Sequence, residues 1–187
     1  MTNIITKTID GVCIGKLGTV CIITDGLKIS SKGDRTYPAA EQFKIGSPIK
    51  RTLLSAQGYE KLTTAVKSNL KALYNCLVWI GNQPPEMRLF RIGGDLLPRF
   101  DDPECKHLYD DKLLSLVDYL LERCKKVIED KNIRIATHPD KKAAVLNSDK
   151  HNVRLNAVRC LEYHYYFMSR LQSAEDGAVI NIHINGR

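Results

Sequence analysis

The feature that most constrains this chain is an alternation of hydrophobic period. Short β-type apolar runs alternate with long stretches whose apolar residues recur every three or four positions. "KLGTVCII" (16–23) is the first β-type run, and it stops before the turn pair Asp25-Gly26. "GYEKLTTAVKSNLKALYNCLVWIGN" (58–82) follows, with Leu62, Ala65, Val66, Leu70, Leu73, Leu77 and Ile80 near one helical face. Asn82 and Pro84-Pro85 close it. The strand "MRLFRIGG" (87–94), a helix over 110–132, the strand "IRIATH" (133–138), a helix over 148–172 and the strand "GAVINIHI" (177–184) continue the order. Asp110 and Asp111 open the second helix and Lys125 and Lys126 lie toward its end, as the helix dipole favours. Ser148 is the expected N-cap of the third.

The order β-α-β-α-β-α-β predicts parallel strands joined by right-handed crossovers. An open doubly wound sheet and the first half of a barrel both satisfy it. No G-x-G-x-x-G follows the first strand and no G-x-x-x-x-G-K-[ST] occurs, which weighs against nucleotide-binding sheets. After Ile184 come only Asn185, Gly186 and Arg187, leaving the fourth strand without a covering helix. A complete barrel takes about 250 residues. The expected fold class is therefore α/β, the N-terminal half of a TIM (β/α)8 barrel with four parallel strands. Residues 1–15 read as an N-terminal extension and 16–187 as the partial barrel, with a basic loop at 24–52.

The formal net charge is +7, an excess that attracts polyanions, of which nucleic acid is the commonest in a cell. Lys28, Lys32, Arg35, Lys44, Lys50 and Arg51 crowd the 24–52 loop against Asp25, Asp34 and Glu41. No apolar run approaches the ~20 residues that span a bilayer. Lys7 and Asp10 interrupt the N-terminus where a signal peptide would need an apolar block. No membrane partner and a cytoplasmic location are expected. The cysteines form no C-x-x-C pair, so a zinc knuckle has no support, and Cys76, Cys124 and Cys160 fall at apolar helical positions.

In barrels and open α/β sheets the chemistry gathers at the C-terminal strand edge. Strand two runs into Gly93-Gly94-Asp95 and the loop "LLPRFDDPECKH", which carries Asp101, Asp102 and His107. Strand three ends at His138-Pro139-Asp140, followed by Lys141 and Lys142; strand four carries His183 and Asn185. Two histidines closing parallel strands, with an Asp-Asp loop between, are a donor set for a transition metal. A hydrogen-bonded structural histidine is the competing use of each. His151 and His164, on the third helix, read as structural or solvated. Arg91 faces either the barrel interior or the covering helices, and an Arg–carboxylate pair is its expected use ahead of phosphate contact.

"RLFRIGGDLLPRF", "RIATHPDKKAAVLNS", "RCLEYHYYFMSRL" and "INIHINGR", in that order, resemble the UV damage endonuclease family, most of all its bacteriophage members. "KLGTVC" and "KRTLL" are similar to its first strand and the start of its first helix. The resemblance covers about 16–187. It implies a TIM barrel with a divalent metal cluster, usually Mn2+, that cuts double-stranded DNA 5′ to UV photoproducts to begin repair. It implies His138 and His183 as metal ligands, with Asp102 or His107 in place of a loop histidine. Lys141, Lys142, Lys50, Arg51 and Arg187 are the expected DNA contacts, and the resemblance implies the cytoplasm of a bacterial host if the chain is phage-encoded. The family's loop after His-Pro offers Gly-Gln and an aromatic residue where this chain has Asp140-Lys141-Lys142. Its remaining ligands come from later strands. Impaired activity of this chain alone is expected, with the missing C-terminal half or a second chain completing the barrel. The alternatives are a non-catalytic basic DNA-binding relic and another metal-dependent TIM-barrel enzyme such as a sugar isomerase.

Overall fold

The computed structural model describes residues 5–9, 12–16, 18–20, 23, 28–29, 35–36 and 40–182. Its centre is a four-stranded sheet in the order β3-β6-β7-β8, formed by Gly18–Val20, Leu89–Gly93, Arg134–His138 and Val179–Ile180. Every pairing in it is parallel. Between the strands run the helices α2 (Gly58–Gly81), α3 (Asp111–Asp130) and α4 (His151–Leu171). The alternating order and parallel pairing are those the hydrophobic period predicts.

Two short antiparallel pairs accompany this sheet, one before β3 in the chain and one between β3 and α2. β1 (Ile5–Ile9) pairs with β2 (Val12–Gly15), so the stretch expected as a bare extension contains a hairpin. β4 (Lys28–Ile29) pairs with β5 (Arg35–Thr36) inside the basic loop, which ends in the one-turn helix α1 (Lys50–Leu53). Of the expected strand 16–23, Leu17, Cys21 and Ile22 lie outside the described residues, as do His183 and Ile184 of the expected fourth strand.

The core lies between the sheet and its helices. Leu62, Val66, Leu70, Leu73, Leu77 and Ile80 of α2 are buried, as the helical spacing requires, and Cys76 joins them. From α3 come Leu113, Val117, Leu121, Cys124 and Ile128, and from α4 Cys160, Phe167 and Leu171. Each fully buried aliphatic side chain stabilises the fold by about 1.5–3 kcal/mol. Asp110 starts α3 by accepting a hydrogen bond from the Leu113 N–H at 2.8 Å. The start of α4 departs from expectation. Its N-cap is Lys150, not Ser148, because a 3₁₀ turn over Lys141–Val145 takes up the linker first. Ser148 instead accepts from the Lys150 N–H at 3.3 Å, one turn too early to cap the helix.

One polar side chain fixes the loops above the sheet. Asn69, 2% exposed on α2, donates through Nδ2 to the carbonyls of Gly46, Asp95 and Leu96 at 2.8, 3.0 and 3.2 Å. Its Oδ1 accepts from the Gly46 N–H at 2.9 Å. Replacement by Ala strands these backbone groups in the interior, a loss of about 2–3 kcal/mol. The denaturation midpoint of Asn69→Ala should fall accordingly at unchanged m-value.

Candidate functional site

Strand register decides what meets at the C-terminal edge. Gly93 pairs with His138, and one step earlier Ile92 pairs with Thr137. Side chains alternate along each strand, so Phe90, Ile92, Ile135 and Thr137 face the helices and are wholly buried. Arg91, Ala136 and His138 therefore face the other way, toward the interior of the curving sheet. Arg91 sits opposite Ala136 and Val20. Its buried Nε has no hydrogen-bond partner among the described residues. His138 is half-buried at the strand end, and Pro139 after it is buried.

The neighbouring charges are arranged in pairs. Lys50 Nζ lies 3.1 Å from Asp102 and 2.7 Å from Glu104. Burial alone raises the Asp102 pKa, but the Lys50 ammonium and the Glu104 N–H outweigh it and hold the carboxyl below its ordinary range. Lys142 makes a close ion pair with Asp101 and a second, at 3.5 Å, with Asp140. Burial depresses the Lys142 pKa, and the Asp101 carboxylate more than restores it, leaving a firmly protonated ammonium. Both lysines border one groove of about 420 Å³ that also exposes Arg99 and Asn156. Arg99 holds a left-handed backbone at φ 57°, uncommon for a residue with a Cβ.

The residues expected to act together are thus only partly assembled. Asp102 is engaged by Lys50. His107 is exposed on a separate 3₁₀ turn, Lys106–Leu108. His183 and Arg187 lie outside the described residues. Among the described residues, no three His, Cys, Asp or Glu side chains group so as to hold a metal ion. Of the expected DNA contacts, Lys141 and Arg51 are exposed, whereas Lys50 and Lys142 are committed to carboxylates.

His164 is the residue that sequence reasoning underrated. It is wholly buried on α4, beside Tyr163 and Phe167. Its Nδ1 lies 2.5 Å from the Thr137 hydroxyl, and its Nε2 has no partner among the described residues. His164 lines a polar cavity of about 190 Å³ together with Gly94, Asp101, Asp140, Lys142 and Cys160. A Cβ added to Gly94 would sit 3.5 Å from Asp140 Oδ1 and 3.7 Å from this Nε2. Its position in "EYHYY", among residues of the buried face, was the available signal. His151, by contrast, is exposed.

Fold and strand ends together define part of a TIM-barrel-like α/β protein with polar loops gathered at one edge. The chain belongs to the UV-endonuclease UvdE family, whose model matches residues 15–187. It is 28% identical over 127 residues to the UV DNA damage endonucleases of Bacillus cereus (strain B4264) and Bacillus anthracis (strain A0248). That alignment covers 68% of this chain and 38% of each relative. The crystal structure of SacUVDE superposes with a TM-score of 0.63 at 26% identity, covering 90% of this chain and 48% of that one. The chain thus spans less than half the length of these relatives. No helix among the described residues is long and apolar enough to cross a membrane.

Burial pushes the His164 pKa down from 6.5 to about 4. Below pH 6.5 the unfolded chain takes up a proton that the folded chain refuses until about pH 4. Stability is therefore fully present above that window and falls as pH falls through it, by up to about 1.4 kcal/mol per pH unit. Denaturation midpoints between pH 7.5 and 4.5 should show this slope in the native sequence, and His164→Asn should lack its share. Equal slopes for the two proteins would remove the buried neutral histidine from the account.

Proposed function

We propose that this chain is the N-terminal part of a metal-dependent DNA repair endonuclease that hydrolyses the backbone phosphodiester 5′ to UV photoproducts. The observation that carries this is the family match over residues 15–187, which runs through the strand end where His138 stands. A divalent cation, Mn2+ by family resemblance, would draw on His138 and His183, with Asp102 or His107 beside them. The described residues fit such a centre only in part, since one imidazole stands at the strand end and the loop donors do not converge on it. The described segment is not a metal centre by itself. In this reading the remaining ligands come from the rest of a barrel, or from a second chain that completes it.

The segment's own task is to hold the DNA backbone. Lys141 and Arg51 present exposed charge, and Arg187, outside the described residues, is a further proposed contact. Lys142 and Lys50 are already neutralised by carboxylates, which reduces what each gains from a phosphate. Loss of that gain, with Asp102 tied to Lys50, favours a second reading, a DNA-binding protein without catalysis. The family assignment disfavours a sugar isomerase.

Two measurements separate these. Duplex affinity should fall steeply with salt, and Lys141→Ala should reduce the slope of log K against log salt by about 0.9, with a smaller change for Lys142→Ala. Supercoiled plasmid, irradiated or not, should then be incubated in Mn2+ or chelator with the chain alone and with a version that supplies the rest of the barrel. Nicking confined to irradiated DNA with metal, by the completed barrel, supports the endonuclease, and salt-dependent binding without nicking by either version supports the second reading. No binding to either DNA overturns both.

A further inference from the structure

The buried polar groups point to a residue acting behind the strand end. Thr137 and His138 are neighbours whose side chains leave β7 on opposite faces. The Thr137 hydroxyl donates to the Ile92 carbonyl at 3.3 Å and meets His164 Nδ1 at 2.5 Å. One hydroxyl thus ties β6, β7 and α4 together a single residue before the Gly93–His138 pair.

Hydrogen bookkeeping settles the tautomer. Thr137 has one hydrogen to give, and neutral His164 has one ring N–H. If Thr137 donates to Ile92 and His164 donates from Nδ1 to Thr137, both bonds are made. If Thr137 instead donates to Nδ1, the Ile92 bond is lost and a buried Nε2–H is left without an acceptor. The first arrangement leaves Nε2 as a bare lone pair facing the cavity beside Gly94. A residue serving only to fill space gains nothing from this, because an apolar side chain of similar size would leave no unpaired atom.

We propose that His164 is a positioning residue: through Thr137 it fixes the backbone that presents the His138 imidazole at the strand end. The use to which His138 is put rests on the endonuclease reading; the coupling of the two histidines does not. Partners that orient a ligating histidine from behind typically change metal affinity by about 10–100-fold when removed.

The test exploits two near-isosteres. Asn at 164 places an amide nitrogen near the Nδ1 position and keeps the donor to Thr137. Gln places its amide near Nε2 and loses that donor. The full chain, 15N/13C-labelled at histidine, is compared as native sequence, His164→Asn and His164→Gln, with thermal midpoints measured alongside. We expect His164 to show a protonated Nδ1 and a bare Nε2 at neutral pH. His138 ring signals should keep their positions in His164→Asn and shift in His164→Gln, even where both variants lose similar stability. An Nε2-protonated His164, or His138 signals that move equally in both variants or in neither, overturns the proposal. Failure of the endonuclease reading in the plasmid assay leaves this test intact, since the ring positions are read without metal.

Discussion

The register between β6 and β7 is the constraint on which the rest depends. Parallel strands must be joined by crossovers, so each loop that leaves a strand opens at the same edge of the sheet. Because side chains alternate, a slip of one residue would turn His138 into the helix layer and Thr137 into the interior. Two side chains, one on α4 and one on the residue that caps its C-terminus, act against that slip. His164 meets Thr137 at one end of β7. At the other end, Gln172 accepts from the Ile135 N–H and donates to the Ile133 carbonyl, both at 3.0 Å. The Gln172 amide behaves as a short extra strand partner beside β7, where β8 pairs only with Ala136 and Thr137. Helix α4 is therefore more than a cover for the sheet, since it sets the phase in which the strand end is displayed.

Electrostatics at this edge follows from proximity rather than from the overall excess of positive charge. A net charge of +7 attracts a polyanion at long range, and screening confines that attraction to about a Debye length. Within the loops, nearer carboxylates win. Asp101 and Asp102 follow one another on the β6–α3 loop, yet each takes a lysine from a different element, Lys142 and Lys50 respectively. These pairs draw the segment before α2 and the turn before α4 onto a single loop. Their contribution to stability is modest because the lysines remain partly exposed. Their larger effect is on placement, leaving Lys141 and Arg51 as the charges turned outward.

The architecture was legible because it is written in period. The apolar spacing of α2 and α3, the β-type runs ending at Gly93 and His138, and the order of elements all survive into the structure. Boundaries failed where local hydrogen bonding competes, as at Ser148, whose side chain bonds two residues ahead instead of capping α4. The site was less legible, since spacing shows which residues share an edge but not which are already paired. Lys142 and Lys141 are indistinguishable in sequence, and only the approach of Asp101 separates a neutralised ammonium from an exposed one. His164 was hidden for a related reason. A histidine among apolar helical positions reads as packing, and its bond to Thr137 crosses from helix to strand, where no sequence period reports it.

Two buried side-chain atoms without hydrogen-bond partners among the described residues flank this edge from opposite faces, Arg91 Nε and His164 Nε2. They are complementary in kind. Arg91 offers a donor to the interior face, where His138 also projects, and His164 offers an acceptor to the cavity behind it. Each unpaired buried group costs about 1–3 kcal/mol, and folded proteins tolerate few of them. The costs are not spread through the molecule: the long packed interfaces of α2 and α3 carry none among the described residues. They fall instead on β6 and on the face of α4 that meets Thr137. A sheet edge selected only for stability would satisfy or replace both groups.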